Sequence, residues 1–296
     1  MYHYPINYDE PLFRPPSEAY SIIIQVTLGC SYNKCAFCEM YTSKQFKARK
    51  EEDIFKDIEA FIPYKNEVRK VFLADGDPLV LSTERLLHIL AKLKNTFPKL
   101  QRISTYATTT NIIKKSVQEL EELQNAGLNL LYVGIESGDD QVLQNMQKGE
   151  SFKTIVEGLN KAKNAEINSS VMIINGAGGK LLSEQHAINS AKVLNETQPK
   201  YASTLVLTMY KGMEHFKTRY LGEYIPMILP ELFVEMQTFM ENLNLNETIF
   251  RSDHASNYLV LKGLLGKDKA QFLQQINIAL KHPEVANLRS QHQRGF

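Results

Sequence analysis

Apolar positions along this chain follow two alternating patterns. Short continuous apolar or β-branched runs read as strands buried on both faces, and each is followed by a stretch with apolar residues at helical spacing. Residues 21–27 (SIIIQVT) open the series. A helix over 51–62 follows, with Ile54, Phe55, Ile58, Phe61 and Ile62 on one stripe. Strands are then predicted at 71–74, 103–108, 130–135, 170–174 and 203–208. Between them lie helices at 83–97, 116–127, 139–148, 152–165 and 184–195. Ser82 is placed to cap the helix at 83–97. Ser116 and Glu119 form a capping box, and Gly127 closes that helix.

Six strands separated by helices should lie parallel with right-handed crossovers. The class is therefore α/β, as an open or partly closed barrel or a doubly wound sheet. Residues 1–215 carry this pattern. Residues 216–296 read as a mostly helical C-terminal extension, with apolar stripes at 230–243 and 268–281.

Loops after the strand C-termini of parallel α/β folds share one rim, where active sites gather. The unusual residues of this chain fall there. The first strand leads to Cys30, Cys35 and Cys38, the second to Asp75-Gly76-Asp77-Pro78, and the third to a polar string from Thr108 to Asn111. The fourth ends in Gly134-Ile135-Glu136-Ser137-Gly138, the fifth in Asn175-Gly176-Ala177-Gly178-Gly179 and the sixth in Tyr210-Lys211-Gly212. Taken singly, the Asp-Gly-Asp-Pro and glycine-rich segments are ordinary turns, and Glu136 is a helix-start carboxylate. Their joint placement after successive strands is what points to a site.

Composition narrows the partners. With 34 Lys+Arg against 33 Asp+Glu, the net charge of +1 gives no strong field for nucleic acid or an anionic membrane. The first residues lack a basic stretch leading into an apolar run, so no signal peptide is expected. No apolar run reaches the ~18 residues of a membrane span. Three cysteines are a poor disulfide framework, and the expectation is a reducing, cytoplasmic setting.

Those three are the only cysteines in the 296 residues, and they stand within one loop. Clustered thiolates fit iron–sulfur ligation. Zinc is the alternative, but zinc modules usually show two separated ligand pairs, and no histidine lies near this loop. Lys44, Lys47, Arg49 and Lys50 follow the loop as an acidic-substrate contact or, more ordinarily, a solvated face.

With these residues the chain resembles the radical S-adenosylmethionine (SAM) superfamily over about residues 21–212. Its cysteine spacing is a C-x4-C-x2-C variant, one residue longer than the commonest form. The run at 134–138, continuing through Val142, Leu143, Met146, Lys148 and Gly149, is similar to the branch of coproporphyrinogen dehydrogenases and Elp3-like enzymes. The resemblance implies a partial (β/α)6, TIM-like barrel of parallel strands with the helical extension. It implies that Cys30, Cys35 and Cys38 bind a [4Fe–4S] cluster whose open iron chelates SAM. It further implies that Phe37 packs near the adenine, and that Asp75, Gly76 and Asp77 hold the SAM ammonium, with the choice of carboxylate open. Thr108, Glu136, Asn175 and Gly176 are the other implied cofactor contacts.

The implied chemistry is reductive cleavage of SAM to methionine and a 5′-deoxyadenosyl radical that abstracts hydrogen from a substrate. A small-molecule or peptide substrate and a flavodoxin- or ferredoxin-type electron donor would be the partners, with no membrane or nucleic acid. The alternative on the same fold is a non-catalytic cluster- or haem-binding chaperone. No cysteine lies outside the loop, which disfavours methylthiotransferases and other members with auxiliary clusters. Only 29 residues precede Cys30, too few for an N-terminal cobalamin domain. The polar segment from Arg251 to Tyr258 reads as a substrate loop, with Asp253 or His254 handling a proton, or as a helix cap leading into a core helix.

Overall fold

The computed structural model describes residues 5–294, leaving the first four residues of the stretch read for a leader outside the described part. The chain folds into two compact units. The first holds the described residues up to 33, then 38–133 and 160–169, and the second holds 34–37, 134–159 and those from 170 onward.

In the first unit, β1 (Ile22–Gln25) is followed by the short β2 (Thr27–Leu28), which pairs antiparallel with β3 (Lys47–Ala48). The expected strand at 21–27 is thus split. Val26 N bonds back to Ala74 O, and the chain then leaves the main sheet to clasp the base of the cysteine loop. Next come α1 (Glu51–Ala60), β4 (Lys70–Ala74), α2 (Thr83–Thr96), β5 (Arg102–Tyr106), the short α3 (Thr109–Lys114), α4 (Val117–Asn125) and β6 (Leu128–Glu136). Parallel pairing runs β1–β4–β5–β6, as the repeated strand–helix pattern requires. Helices α1, α2 and α4 lie side by side, burying Ile54, Ile58, Leu86, Ile89, Leu90, Leu93, Leu120 and Leu123. The Ser82 cap and the Ser116–Glu119 capping box form as the sequence predicts. Gly127 follows the last turn of α4 with φ +107, which a residue without Cβ adopts freely.

The second unit begins with the end of β6 and continues through α5 (Asp140–Asn145), α6 (Phe152–Asn164), β7 (Asn168–Asn175), α7 (Gly179–Thr197) and β8 (Tyr201–Val206). Helix α6 and β7 each lend residues to both units. Helix α7 is longer than expected because it starts directly in the glycine run, with Gly178 as its N-cap. After α8 (Met213–Arg219) come α9 (Leu229–Asn242), β9 (Ile249–Arg251), β10 (Lys262–Leu264) and α10 (Leu265–Lys281). Helices α9 and α10 match the two apolar stripes read from sequence.

The segment from Arg251 to Tyr258 departs from one of its two sequence readings, the helix cap, and beyond Arg251 is a loop. It caps no helix. It turns from β9, which is parallel to β8, toward β10, which is antiparallel to β9. Three-residue strands carry no detectable alternation, so the pattern could not announce them. Among the described residues, no helix is long and apolar enough to cross a membrane.

Candidate functional site

In the first unit the cysteine loop is tied to the end of β4. Gly29 N donates to Asp75 Oδ2 (3.1 Å), and Gly76 N donates to Gly29 O (3.1 Å). Lys44 folds back so that Nζ meets Asp75 Oδ2 at 3.0 Å and Asp9 Oδ1 at 2.9 Å, while Gln25 Nε2 reaches the same Asp75 oxygen at 3.5 Å. Arg49 pairs with Asp57 at 2.6 Å. Lys44 and Arg49 therefore serve the fold and do not form the solvated face expected of them. A Cβ at Gly76 would stand 2.8 Å from Tyr41 Cε2 and 2.9 Å from Cys30 Cβ, so only glycine lets β4 approach the cysteine loop this closely.

Asp75 and Asp77 are both fully buried, and burial raises both carboxyls above their ordinary value. Their surroundings differ in charge. Asp75 faces an ammonium. Asp77 Oδ2 accepts only from neutral donors: the Ser31 hydroxyl at 2.7 Å, the Thr108 hydroxyl at 3.4 Å and the Asn111 amide. Thr108 also caps α3, accepting from Asn111 N at 3.2 Å. The Oδ1 atoms of Asp75 and Asp77 are buried without a hydrogen-bond partner. A buried carboxylate supplied only with neutral donors is incomplete until a cation reaches it.

The second unit carries the other expected residues. Ala36 N donates to Met146 O (2.8 Å), which seats Ala36 and Phe37 against Val142, Met146, Ile174 and Ala177. Glu136 ends β6 with φ +65. Burial pushes its carboxyl up to about 7, against the opposing pull of Lys148 Nζ at 3.7 Å from Oε1, while Oε2 has no hydrogen-bond partner. Asn175 Nδ2 donates to Leu232 O at 3.1 Å and leaves Oδ1 buried without a partner.

Gly176, at φ +90, is gripped on both sides of its backbone. Its N–H donates to Glu235 Oε1 at 2.6 Å, and its carbonyl accepts from the Tyr224 hydroxyl at 2.9 Å. Glu235 Oε2 accepts from the Ser183 hydroxyl at 2.7 Å. Beneath lies His186, whose Nε2 donates to Ile174 O at 3.0 Å and whose Nδ1 meets the Ser137 hydroxyl at 2.7 Å. A small cavity lined by Asn175, His186, Thr204 and Glu235 among apolar neighbours lies in this unit.

Sequence reasoning missed Glu235, Tyr224 and His186. Glu235 lies 59 positions from Gly176, on a helix whose sequence says only that it is amphipathic. Ser31 and Lys44 sit inside the recognised loop, and only the folded geometry pairs them with Asp77 and Asp75. Asp253 and His254 lie in the turn after β9. His254 Nδ1 accepts from Ser256 N at 3.1 Å within the turn, and burial lowers its pKa below the ordinary imidazole value. Asp253 is half-exposed, with Oδ2 3.8 Å from Lys262 Nζ.

The profile of the Radical SAM superfamily matches residues 24–190, more than half the chain. The chain belongs to the radical SAM superfamily. At 23% identity over 179 residues it is similar to the heme chaperone HemW of Bacillus subtilis (strain 168), covering 60% of this chain and 46% of that protein. It is 22% identical over 175 residues to the putative methylthiotransferase MJ0865 of Methanocaldococcus jannaschii, covering 55% and 38%. The chain thus spans at most about half the length of these curated relatives.

Among solved structures it is similar to coproporphyrinogen III oxidase (HemN) from Escherichia coli, described as a radical SAM enzyme. The TM-score is 0.58 at 16% identity, over 75% of this chain and 52% of that one. Methylornithine synthase (PylB) gives 0.52 at 16%, over 76% and 63%. These likenesses show an α/β fold resembling the partial (β/α) barrel of radical SAM proteins, with a helical extension.

Radical SAM membership makes a [4Fe–4S] cluster and SAM the groups to test against the residues present. Among the described residues, no three His, Cys, Asp or Glu side chains are grouped to hold a single metal ion. In a cubane cluster each thiolate binds a different iron, which is a wider grip than a single-ion site needs. The donor set suits that grip: three half-buried thiols on one loop, none of them in a disulfide. In the first unit the buried orphan oxygen of Asp77 suits a cationic group, and in the second unit those of Glu136 and Asn175 suit a polar one.

Proposed function

We propose that this chain is a radical SAM enzyme acting on a small-molecule substrate. In this reading Cys30, Cys35 and Cys38 hold a [4Fe–4S] cluster, and Asp77, Glu136, Asn175 and Gly176 hold SAM, with Phe37 beside the adenine. The observation that carries it is the buried Asp77 carboxylate, hydrogen-bonded to Ser31 of the cysteine loop and to α3, supplied only with neutral donors and one oxygen short of a partner. When bound, the reduced cluster and SAM supply one-electron cleavage of the sulfonium C–S bond and, through it, hydrogen-atom abstraction.

The protein's own residues bind and orient. Asp77 offers its charge to the SAM ammonium, while Lys44 and Asp75 lock the cysteine loop to β4. The Gly176 backbone, lacking a side chain and fixed by Glu235 and Tyr224, lets the nucleoside approach closely. A flavodoxin- or ferredoxin-type protein would supply the electron.

The test is anaerobic reconstitution with iron, sulfide, dithionite and SAM. Iron–sulfur absorbance and formation of 5′-deoxyadenosine are expected, and both should disappear in Cys35→Ala. A second reading, a haem-carrying protein, is favoured by the similarity to heme chaperone HemW. Stoichiometric haem binding without 5′-deoxyadenosine would establish it in place of the first.

A further inference from the structure

The four strands of the second unit place Met172, Ser203, Arg251 and Lys262 in one row, each opposite the next across β7, β8, β9 and β10. The adjacent row is Val171, Ala202, Phe250 and Gly263. That row faces the helices: the Phe250 ring lies 5.9 Å from Phe272 of α10, and a Cβ at Gly263 would meet the same Phe272 ring at 2.8 Å. Side chains alternate along a strand, so Arg251 and Lys262 lie on the opposite face, directly across from one another.

Two like charges directly opposed in an antiparallel pair destabilise a sheet. Here the opposition is only partly relieved. Lys262 is 64% exposed and has Asp253 Oδ2 at 3.8 Å. Arg251 has no carboxylate within ion-pair distance among the described residues. Its Nε is buried without a hydrogen-bond partner, and its guanidinium lies 5.5 Å from the centre of the Tyr201 ring. A guanidinium stays charged at any physiological pH, and its planar fork matches a carboxylate in two parallel hydrogen bonds. Met172 and Ile249, half-buried on the same face, are apolar, which suits an anion with a hydrocarbon body.

From this row the geometry points to Arg251 as the anchor for a substrate carboxylate, on a molecule whose apolar portion lies along Met172 and Ile249. The assignment deepens the reading of this chain as a radical SAM enzyme by giving its substrate a chemical class, a small organic acid. Ser203 is the neighbouring polar group in the row, and its hydroxyl reaches Val171 O only at 3.4 Å, which leaves it available to an anion.

The full chain, without cluster or SAM, labelled with 15N at arginine, is titrated with hexanoate, with hexylammonium and with inorganic phosphate. Hexanoate should shift the Arg251 Nε–H resonance saturably, and hexylammonium should not. Arg251→Gln should weaken hexanoate binding by about ten- to a hundred-fold, the range for losing a charged hydrogen-bond pair. Arg251→Lys should fall between, because it keeps the charge and loses the fork. Lys262→Gln, which leaves the guanidinium in place, should bind hexanoate within a few-fold of wild type.

Absence of a shift in the wild type, equal binding by Arg251→Gln, or tighter binding of phosphate than of hexanoate would each overturn the assignment. Arg251→Gln should melt no lower than wild type, since it removes the opposed charge, and a variant that failed to fold would contradict the like-charge argument itself. The titration needs no cluster. Its failure beside intact 5′-deoxyadenosine formation would reject only the carboxylate site, and its success without such formation would reject only the functional reading.

Discussion

Lys44 Nζ stands 3.0 Å from Asp75 Oδ2, with the Lys44 side chain 6% exposed and that of Asp75 fully buried. The pair joins the end of the cysteine loop to the end of β4. Removing one partner of a buried pair strands the other charge, at a cost of about 3–5 kcal/mol, whereas removing both costs far less. Lys44→Met should therefore destabilise the apo chain by an amount of that order in urea unfolding, and Lys44→Met with Asp75→Asn should recover most of it. Equal stability of the single and double variants would show that the pair contributes nothing.

The same contrast separates the two aspartates by role. Asp75 is in contact with its counter-charge, Lys44, whereas among the described residues Asp77 touches no cation and feels only the more distant charge of Lys115. Asp77→Asn keeps the shape and removes the charge. It should weaken SAM binding by about ten- to a hundred-fold, as expected for a lost charged hydrogen bond, measured by equilibrium dialysis on reconstituted protein. Because burial disfavours the ionised Asp77, the same variant should leave the apo chain at least as stable as wild type. A loss of stability with unchanged SAM affinity would assign Asp77 to the fold.

Much of this arrangement was legible in the sequence, for identifiable reasons. The main strands and helices through β8 were readable because strands buried on both faces are continuous apolar runs and their helices are amphipathic, whereas the two-residue β2 and β3 and the short α3 were not. The positions of the cysteines, Asp75-Gly76-Asp77 and the Gly-Ile-Glu-Ser-Gly run at strand ends were readable because each directly follows or ends an apolar run. What could not be read is whatever depends on which neutral or charged partner arrives from far along the chain: Lys44 on Asp75, Glu235 on Gly176, Arg251 opposite Lys262. Strands β9 and β10 escaped because three residues establish no period.

Glu136 should make stability depend on pH. Its carboxyl rises from the ordinary 4.5 to about 7 on folding because burial disfavours the charge. A raised carboxyl favours the folded chain fully below about pH 4.5, and that contribution is lost as the pH climbs through about 7. The span corresponds to at most about 3 kcal/mol. Glu136→Gln removes the titration, so the difference in unfolding free energy between wild type and variant should shift against wild type from pH 5 to pH 8. A difference that stays constant over that interval would mean that Glu136 keeps an ordinary pKa. Comparing the two proteins cancels the contributions of Asp75, Asp77 and Glu235, which burial shifts in the same direction.

Glu235 tests whether α9 shapes the glycine turn at the end of β7. Its two oxygens accept from Gly176 N and the Ser183 hydroxyl, and both carboxylate atoms are used. Glu235→Ala would leave the Gly176 N–H without its acceptor and open a polar void beside the His186 cavity, costing about 1–3 kcal/mol for the unsatisfied donor. Glu235→Gln keeps an acceptor for Gly176 N and, since burial already disfavours the charge, should cost less. If the turn serves SAM, Glu235→Ala should also raise the Kd for SAM at a temperature well below its melting point, where the chain is fully folded, and Glu235→Gln should restore most of that affinity. Loss of stability in Glu235→Ala with SAM affinity unchanged would confine Glu235 to holding α9 against the end of β7.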